Sequence, residues 1–397
     1  MNQPLPTYSL RSIEIENFKG IKHTIIENLP REAKWIFLTG RNGFGKTCVL
    51  QSIFIGLFGQ RDKNLILSEE NFKITIGHSD RNNPNELIAN DFYFIEEIGG
   101  RHKEKSNRIP LVAFGSSRLN IQGSQSRNEE TDRSSPSYSL FNPDGVLLSV
   151  ETELKNLYYR SQVEKLDPAS KKQLSERYEG IRKTLLQLMP NLADISIDAK
   201  EDKILYTEKD DENDILTEGL TFNELASGNR SIIAMIGDML IRLFKYRPME
   251  TVPGNLEGIV IIDELDLHLH PSWQQALPTL LSEIFPKVQF IASTHSPIPF
   301  LGAPEGSVFL KVNRTEEEGI TLEKLDIDIS DLTPNLILSS PIFGFTNIIP
   351  ITHEKGERIR TEDTMQEAAM NDAIRQKLTD FLGKEKEEEL RKLFKKG

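Results

Sequence analysis

The chain has 397 residues, 38% hydrophobic and 27% charged, a balance that supports a buried core and excludes wholesale disorder. It lacks a run of about 20 apolar residues, so a membrane-spanning helix is excluded, and its single cysteine, Cys48, excludes an internal disulfide and suits a reducing cytoplasm. A net charge of -12 speaks against a general nucleic-acid coat, because binding to phosphate backbones relies on clustered Lys and Arg.

The opening residues carry no basic segment followed by an apolar stretch, so no secretory leader is expected. Residues 9–16, SLRSIEIE, alternate apolar and polar and predict a half-buried strand; a turn at 17–20 leads to a second strand over 21–27. WIFLTG at 35–40 reads as a buried strand feeding a glycine loop, and the apolar run 47–58 as a helix. The signal weakens over 61–90, and 91–98 and 108–116 read as further strands. The stretch from Arg101 to Arg133 is the most basic, but Glu104, Glu129, Glu130 and Asp132 dilute it, and it reads as a solvated loop. From 146 to 192 the pattern is helical: Leu147, Val150, Leu154 and Leu157 share a face, LDPAS interrupts, and a second helix runs over 170–189. The acidic segment 205–219 predicts an exposed hairpin or loop. Beyond it helix (226–244), strand (258–263), helix (271–285) and strand (288–293) alternate as in a layered α/β domain. Asp326 and Asp328 fall in an expected edge strand and turn, and 351–397 is a charged helical tail. The expected organisation is an α/β head over 1–350, a helical subdomain inserted near 140–220, and the tail.

Four motifs carry chemistry. Gly40-Arg-Asn-Gly-Phe-Gly45-Lys46-Thr47 fits G-x-x-x-x-G-K-[ST]. Its glycines let backbone N–H groups curl around phosphate oxygens at a helix start, Lys46 supplies a point charge, and Thr47 offers a hydroxyl to Mg²⁺. Gly258-Ile-Val-Ile-Ile-Asp263-Glu264 is an apolar strand ending in two carboxylates. Asp263 is the candidate magnesium ligand and Glu264 the candidate general base. Leu225-Ala226-Ser227-Gly228-Asn229-Arg230 places a hydroxyl, a glycine and a helix start where they could present donors to a phosphate. Finally, His295 ends another apolar strand in Ser293-Thr294-His295-Ser296-Pro297, where it could meet a terminal phosphate.

In this order the motifs resemble the ABC type of ATPase, with Leu225 to Arg230 similar to its signature and His295 to its switch histidine. LRSIEIENFKGIKH, GRNGFGKT and IDELDLHLHP resemble the heads of the structural-maintenance-of-chromosomes, RecF and overcoming-lysogenization-defect groups, over most of residues 9–300. The resemblance implies an α/β ABC-ATPase head with a mixed sheet, a phosphate loop and a helical subdomain. It implies ATP and Mg²⁺ as cofactors, nucleotide held by Gly40, Asn42, Gly43, Gly45, Lys46, Thr47 and Cys48, and Thr47 and Asp263 on the metal. Catalysis would rest on Lys46, Glu264 and His295. Ser227 and Gly228 would reach the nucleotide of a second copy, which implies a homodimer, with higher oligomers left open. Cys48 directly follows Thr47, where packing of a small residue is expected rather than redox chemistry. The family's Q-loop glutamine has no clear counterpart: Gln122 and Gln125 are candidates, near Ser116, Ser117 and Arg118. His268 and His270 are expected to serve structure and dimer contact rather than a metal.

No long coiled coil separates Lys46 from Ser227, and neither a Toprim acidic pattern nor an HNH cluster is present. A motor without an effector resembles the regulatory ATPase of two-gene bacterial anti-phage systems, the Septu and retron-associated ATPases that act with an HNH nuclease. This implies a separate nuclease or toxin as partner. A RecF-like repair ATPase clamping DNA directly stays open, as does a non-hydrolysing scaffold, against which Glu264 speaks.

Overall fold

The alternating N-terminal stretch forms β1 (Ser9–Phe18), which buries Leu10, Ile13, Ile15 and Phe18. It pairs antiparallel with β2 (Ile21–Ile26) on one side and β4 (Phe72–Ser79) on the other. The computed structural model describes residues 4–58, 71–81, 85–94, 101–103, 109–116, 138–142, 145–210, 212–326, 334–340, 342–343, 369–374 and 376–377. Gln122, Gln125, Ser117, Arg118, Asp328, most of the basic stretch and most of the tail lie outside those residues. The chain divides into two units, Met1–Ser330 and Asp331–Gly397. The division follows the last strand of the sheet.

The remaining strands are β3 (Trp35–Thr39), β5 (Ile88–Phe94), β6 (Arg101–Lys103), β7 (Leu111–Phe114), β8 (Leu192–Asp198), β9 (Lys203–Lys209), β10 (Ile215–Leu220), β11 (Glu257–Ile262), β12 (Lys287–Ser293), β13 (Val308–Thr315) and β14 (Gly319–Leu325). Eleven described strands form one mixed sheet in the order β6-β5-β4-β1-β2-β14-β13-β3-β12-β11-β7. Five of them, β13-β3-β12-β11-β7, run parallel. Ranked by position in the chain, they stand fifth-first-fourth-third-second. The order therefore reverses between β3 and β12, and the carboxyl ends of a sheet at such a switch point frame a ligand crevice. β14 lies between β13 and β2, with Ile320, Leu322 and Leu325 buried along it. The edge strand and turn expected around Asp326 and Asp328 lies mostly outside the described residues.

α1 (Lys46–Phe58) leaves the phosphate loop and packs on one face of the sheet. Val49, Leu50, Ile53 and Phe54 meet Ile36, Leu38, Ile291 and Leu310 in the main core, which accounts for the almost unbroken apolar sequence of the helix. The opposite face of β3 is aromatic. Trp35 stacks on Phe290 at 4.7 Å between centroids, and Phe37 on Phe309 at 5.6 Å. Trp35 Nε1 donates to Ser282 Oγ at 2.8 Å, so the buried indole is satisfied and pins the covering helix.

The insertion begins after α2 (Tyr138–Phe141). It contains α3 (Val150–Ser161), capped by Ser149 Oγ, and α4 (Pro168–Leu188), capped by Asp167 with Pro168 in its first turn. Besides these two helices it holds a three-stranded antiparallel sheet, β10-β9-β8, so the acidic segment is a hairpin within that sheet. α5 (Ser227–Tyr246) returns to the main sheet. Its buried Asp238 accepts from Arg242 Nε at 2.5 Å and from Leu148 N at 2.7 Å, tying the helix to the start of the insertion. α6 (Pro271–Ile284) joins β11 to β12. No described helix is long and apolar enough to cross a membrane.

Candidate nucleotide site

β3 ends at Thr39, and the chain turns at once through Gly40 into the loop. Gly40 has φ 145°, and a Cβ there would lie 2.5 Å from Val312 O. Gly45 has φ 97°, with Ile320 Cδ1 2.4 Å from the position of a Cβ. Both positions need glycine: backbone crowds the first and a positive φ marks both. Val312 and Ile320 belong to the β13–β14 hairpin, which backs the loop. Arg314 of the same hairpin donates from Nη1 to Gly43 O at 3.1 Å.

A cavity of about 580 Å³ opens at the carboxyl ends of β3, β11 and β12. The loop lines it with Asn42, Gly43, Gly45, Lys46, Thr47 and Cys48; Asp263, Glu264, Asp266, Leu267 and His295 line it from across. Gly40 contributes its carbonyl, which accepts from Lys46 Nζ at 2.7 Å. Lys46 Nζ also lies 3.2 Å from Arg41 O and 3.1 Å from His295 Nδ1. Burial pushes the Lys46 ammonium down to about 8, against the pull of Asp263, Glu264 and Asp266. His295 is held below the ordinary imidazole value by burial and then by the charge of Lys46.

Thr47 Oγ1 donates to Asp263 Oδ2 at 2.7 Å, and Ser293 Oγ donates to Asp263 Oδ1 at 2.5 Å. Ser293 Oγ also accepts Glu264 N at 2.8 Å, so one serine at the end of β12 orients both carboxylate residues. Glu264 has φ 50°, a left-handed backbone unusual for glutamate, which sets its side chain on the cavity rather than along the strand. Thr47 and Asp263 are hard oxygen donors in mutual contact at the foot of a phosphate loop, a donor set that fits Mg²⁺ with waters completing its shell. Cys48 lines the cavity half-buried, and burial pushes its thiol up.

Ser227 and Gly228 begin α5 and do not line this cavity. Ser227 is exposed, and Ala226 gives the helix start no side-chain cap, so its first N–H groups remain available as donors. His270 caps α6, its Nδ1 2.9 Å from Ser272 Oγ, whereas His268 is exposed with φ 64°. Among the described residues no His, Cys, Asp and Glu group could hold a metal by itself.

Three contributors were missed from sequence. Asp266 accepts Thr294 Oγ1 at 2.5 Å and His295 N at 3.3 Å; an acid two residues after Glu264 was its only local signal. Ser293 stood in the histidine motif without a role. Arg314 has no local signal, being 271 residues from its partner Gly43.

Residues 36–298 match the family described as "AAA domain, putative AbiEii toxin, Type IV TA system". Over 363 residues, 88% of this chain, it is 26% identical to "Septu protein PtuA" of Bacillus mycoides (strain KBAB4), covering 46% of that protein. A stretch of 74 residues is 49% identical to "Retron Vc95 probable ATPase" of Vibrio cholerae serotype O1 biovar El Tor, covering 19% of this chain and 14% of that one. The chain thus spans less than half the length of these curated relatives. Among solved structures, "Crystal structure of the SmcHead bound to the C-winged helix domain of ScpA" superposes with TM-score 0.52 at 15% identity, covering 80% of this chain and 98% of that one. The chain belongs to this AAA domain family, and its fold is that of an SMC-type ATPase head.

Proposed function

We propose that the chain binds and hydrolyses ATP with Mg²⁺ between two paired heads, and that pairing governs a separate effector in anti-phage defence. The observation that carries this reading is the meeting of Lys46, Thr47, Asp263, Glu264 and His295 in one cavity at the switch point of the sheet. In this reading Lys46 leaves the carbonyls of Gly40 and Arg41 for the β- and γ-phosphate oxygens. The loop N–H groups hold the phosphates with the positive end of α1. Thr47 and Asp263 would hold a magnesium ion, which would supply charge neutralisation at the phosphates. Glu264 takes a proton from the attacking water, and His295 lies against the γ-phosphate. Because Ser227 and Gly228 stand outside their own chain's cavity, they serve the nucleotide of the second copy. Residues 1–350 are taken as the head, 140–220 as its insertion and 351–397 as a tail. Support for the defence role is the likeness to proteins named for Septu and retron systems.

The test is the Glu264→Gln variant, expressed in its native gene neighbourhood and purified with ATP and Mg²⁺. Turnover is expected to fall by about 100-fold or more while ATP binding persists. A closed dimer carrying a stoichiometric nuclease or toxin supports the whole reading. Recovery of DNA alone moves the reading to a DNA clamp, and a monomer that keeps normal turnover overturns the shared site.

A further inference from the structure

Gln274 belongs to none of the four motifs, yet its amide joins the two turns that carry the candidate catalytic groups. It stands in the first turns of α6. Nε2 donates to Leu269 O at 3.0 Å and to Asp266 O at 3.3 Å, while Oε1 accepts Ser296 Oγ at 2.7 Å. Only this orientation satisfies all three contacts, since the reversed amide would aim its oxygen at two carbonyl oxygens. Ser296 N in turn donates to Thr294 Oγ1 at 3.1 Å, and Thr294 Oγ1 donates to Asp266 Oδ1 at 2.5 Å. The circuit closes: Gln274, Ser296, Thr294, Asp266 and back to Gln274. His295 is the one residue of the 294–296 turn whose side chain lies outside that circuit, and it is flanked by it on both sides.

We propose that Gln274 is a positioning residue for ATP hydrolysis, setting through Ser296 and Asp266 where the His295 imidazole stands against Lys46. The proposal rests on the ATPase reading above. With Thr294 and Ser296 both clamped, the backbone of His295 has no freedom to carry the ring away, and its N–H is anchored on Asp266 as well. The imidazole then meets Lys46 Nζ at 3.1 Å. Little of the fold depends on Gln274. Pro271, Ser272 and Gln275 around it are exposed, and α6 is held to the core by Leu277, Leu281 and Ile284. Loss of the amide therefore loosens the histidine turn rather than the helix.

The experiment compares Gln274→Leu, Gln274→Glu, Ser296→Ala and Ser296→Thr in the full chain. Gln274→Glu keeps the acceptor for Ser296 and loses both donors; Ser296→Thr keeps the hydroxyl. A displacement of the ring by about 1 Å is expected to lower kcat about 10- to 100-fold in Gln274→Leu and Ser296→Ala. KM, nucleotide affinity and melting temperature are expected to stay at wild-type values, and Ser296→Thr to recover most of the turnover. The double variant Gln274→Leu/Ser296→Ala is expected to be no slower than its slower parent, because both break the same clamp. Independently of turnover, the ¹⁵N imidazole resonances of His295, assigned with His295→Gln, are expected to move in Gln274→Leu and not in Ser296→Thr. Wild-type kcat with an unmoved His295 signal in Gln274→Leu overturns the proposal. A fall in affinity and melting temperature matching the fall in kcat also overturns it, assigning Gln274 to the fold. If the wild-type chain does not turn over ATP, the ATPase reading fails and the resonance comparison alone decides the positioning.

Discussion

Lys46 Nζ lies 3.1 Å from His295 Nδ1, and an ammonium can only donate, so His295 accepts at Nδ1 and carries its proton on Nε2. The two residues are 249 positions apart in the chain. Burial holds the lysine at about 8, and burial together with the charge of Lys46 holds the imidazole below its ordinary value, so the contact joins a cation to a neutral ring at physiological pH.

This pair sets a pH dependence. An unfolded lysine titrates near 10.5, whereas Lys46 in the fold titrates at about 8. Between those values the unfolded chain binds more protons, so this group's contribution to stability rises with pH across that window. ATP phosphates favour the charged lysine, so ATP binding is expected to take up protons near pH 8 and to weaken as pH rises above it. Calorimetry in buffers of differing ionisation enthalpy checks this, and Lys46→Arg, whose guanidinium stays charged, is expected to lose the proton uptake. For His295 the sign is the same and the window lower: its contribution is present above the ordinary imidazole value of 6.5 and is lost as pH falls below it.

Two glycines of the loop are expected to respond differently to alanine. At Gly45 the added Cβ meets only the Ile320 side chain, nearest at Cδ1, and no backbone atom, so the positive φ is the main cost, about 1–3 kcal/mol. At Gly40 it meets the backbone carbonyl of Val312, which cannot move without the sheet. Gly40→Ala is therefore expected to lower the melting temperature and ATP affinity more than Gly45→Ala. Ile320→Val is expected to restore little to Gly45→Ala, because it relieves the contact and leaves the strain. Thermal melts with and without nucleotide decide this.

Asp238 and Arg242 form a buried pair with exposures of 1% and 6%, and Asp238 also holds Leu148 N. Asp238→Ala leaves both without that partner and is expected to destabilise the fold by about 3–5 kcal/mol. Replacing both by apolar residues of similar volume is expected to cost much less. Denaturant titration of the single and double variants measures the difference.

Ser227 is exposed at the start of α5 and away from its own chain's cavity. Ser227→Arg is expected to fold and to bind ATP normally while losing ATP-dependent pairing, with turnover reduced by about 100-fold, the scale for removing a donor to a transition-state charge. Light scattering with ATP in the Glu264→Gln background reads pairing, and normal turnover by Ser227→Arg removes the shared-site mechanism.

By itself the sequence determined the phosphate loop, the Asp263–Glu264 strand end and the alternation of helix and strand, because each depends on residues contiguous in the chain. A G-x-x-x-x-G-K-T turn needs its glycines and its lysine at set spacing, and a parallel strand buried on both faces must be apolar along its length. Tertiary structure alone decided what those pieces touch. Ser293 orients Asp263 and Glu264, His295 meets Lys46, Arg314 holds Gly43, and Gln274 closes the turn around His295. Each is a contact between residues far apart in the chain, and no local pattern announces which residue meets which. β13 and β14 likewise acquire their place behind the phosphate loop from the strand order of the sheet, which arises from pairing across the fold rather than from any one segment.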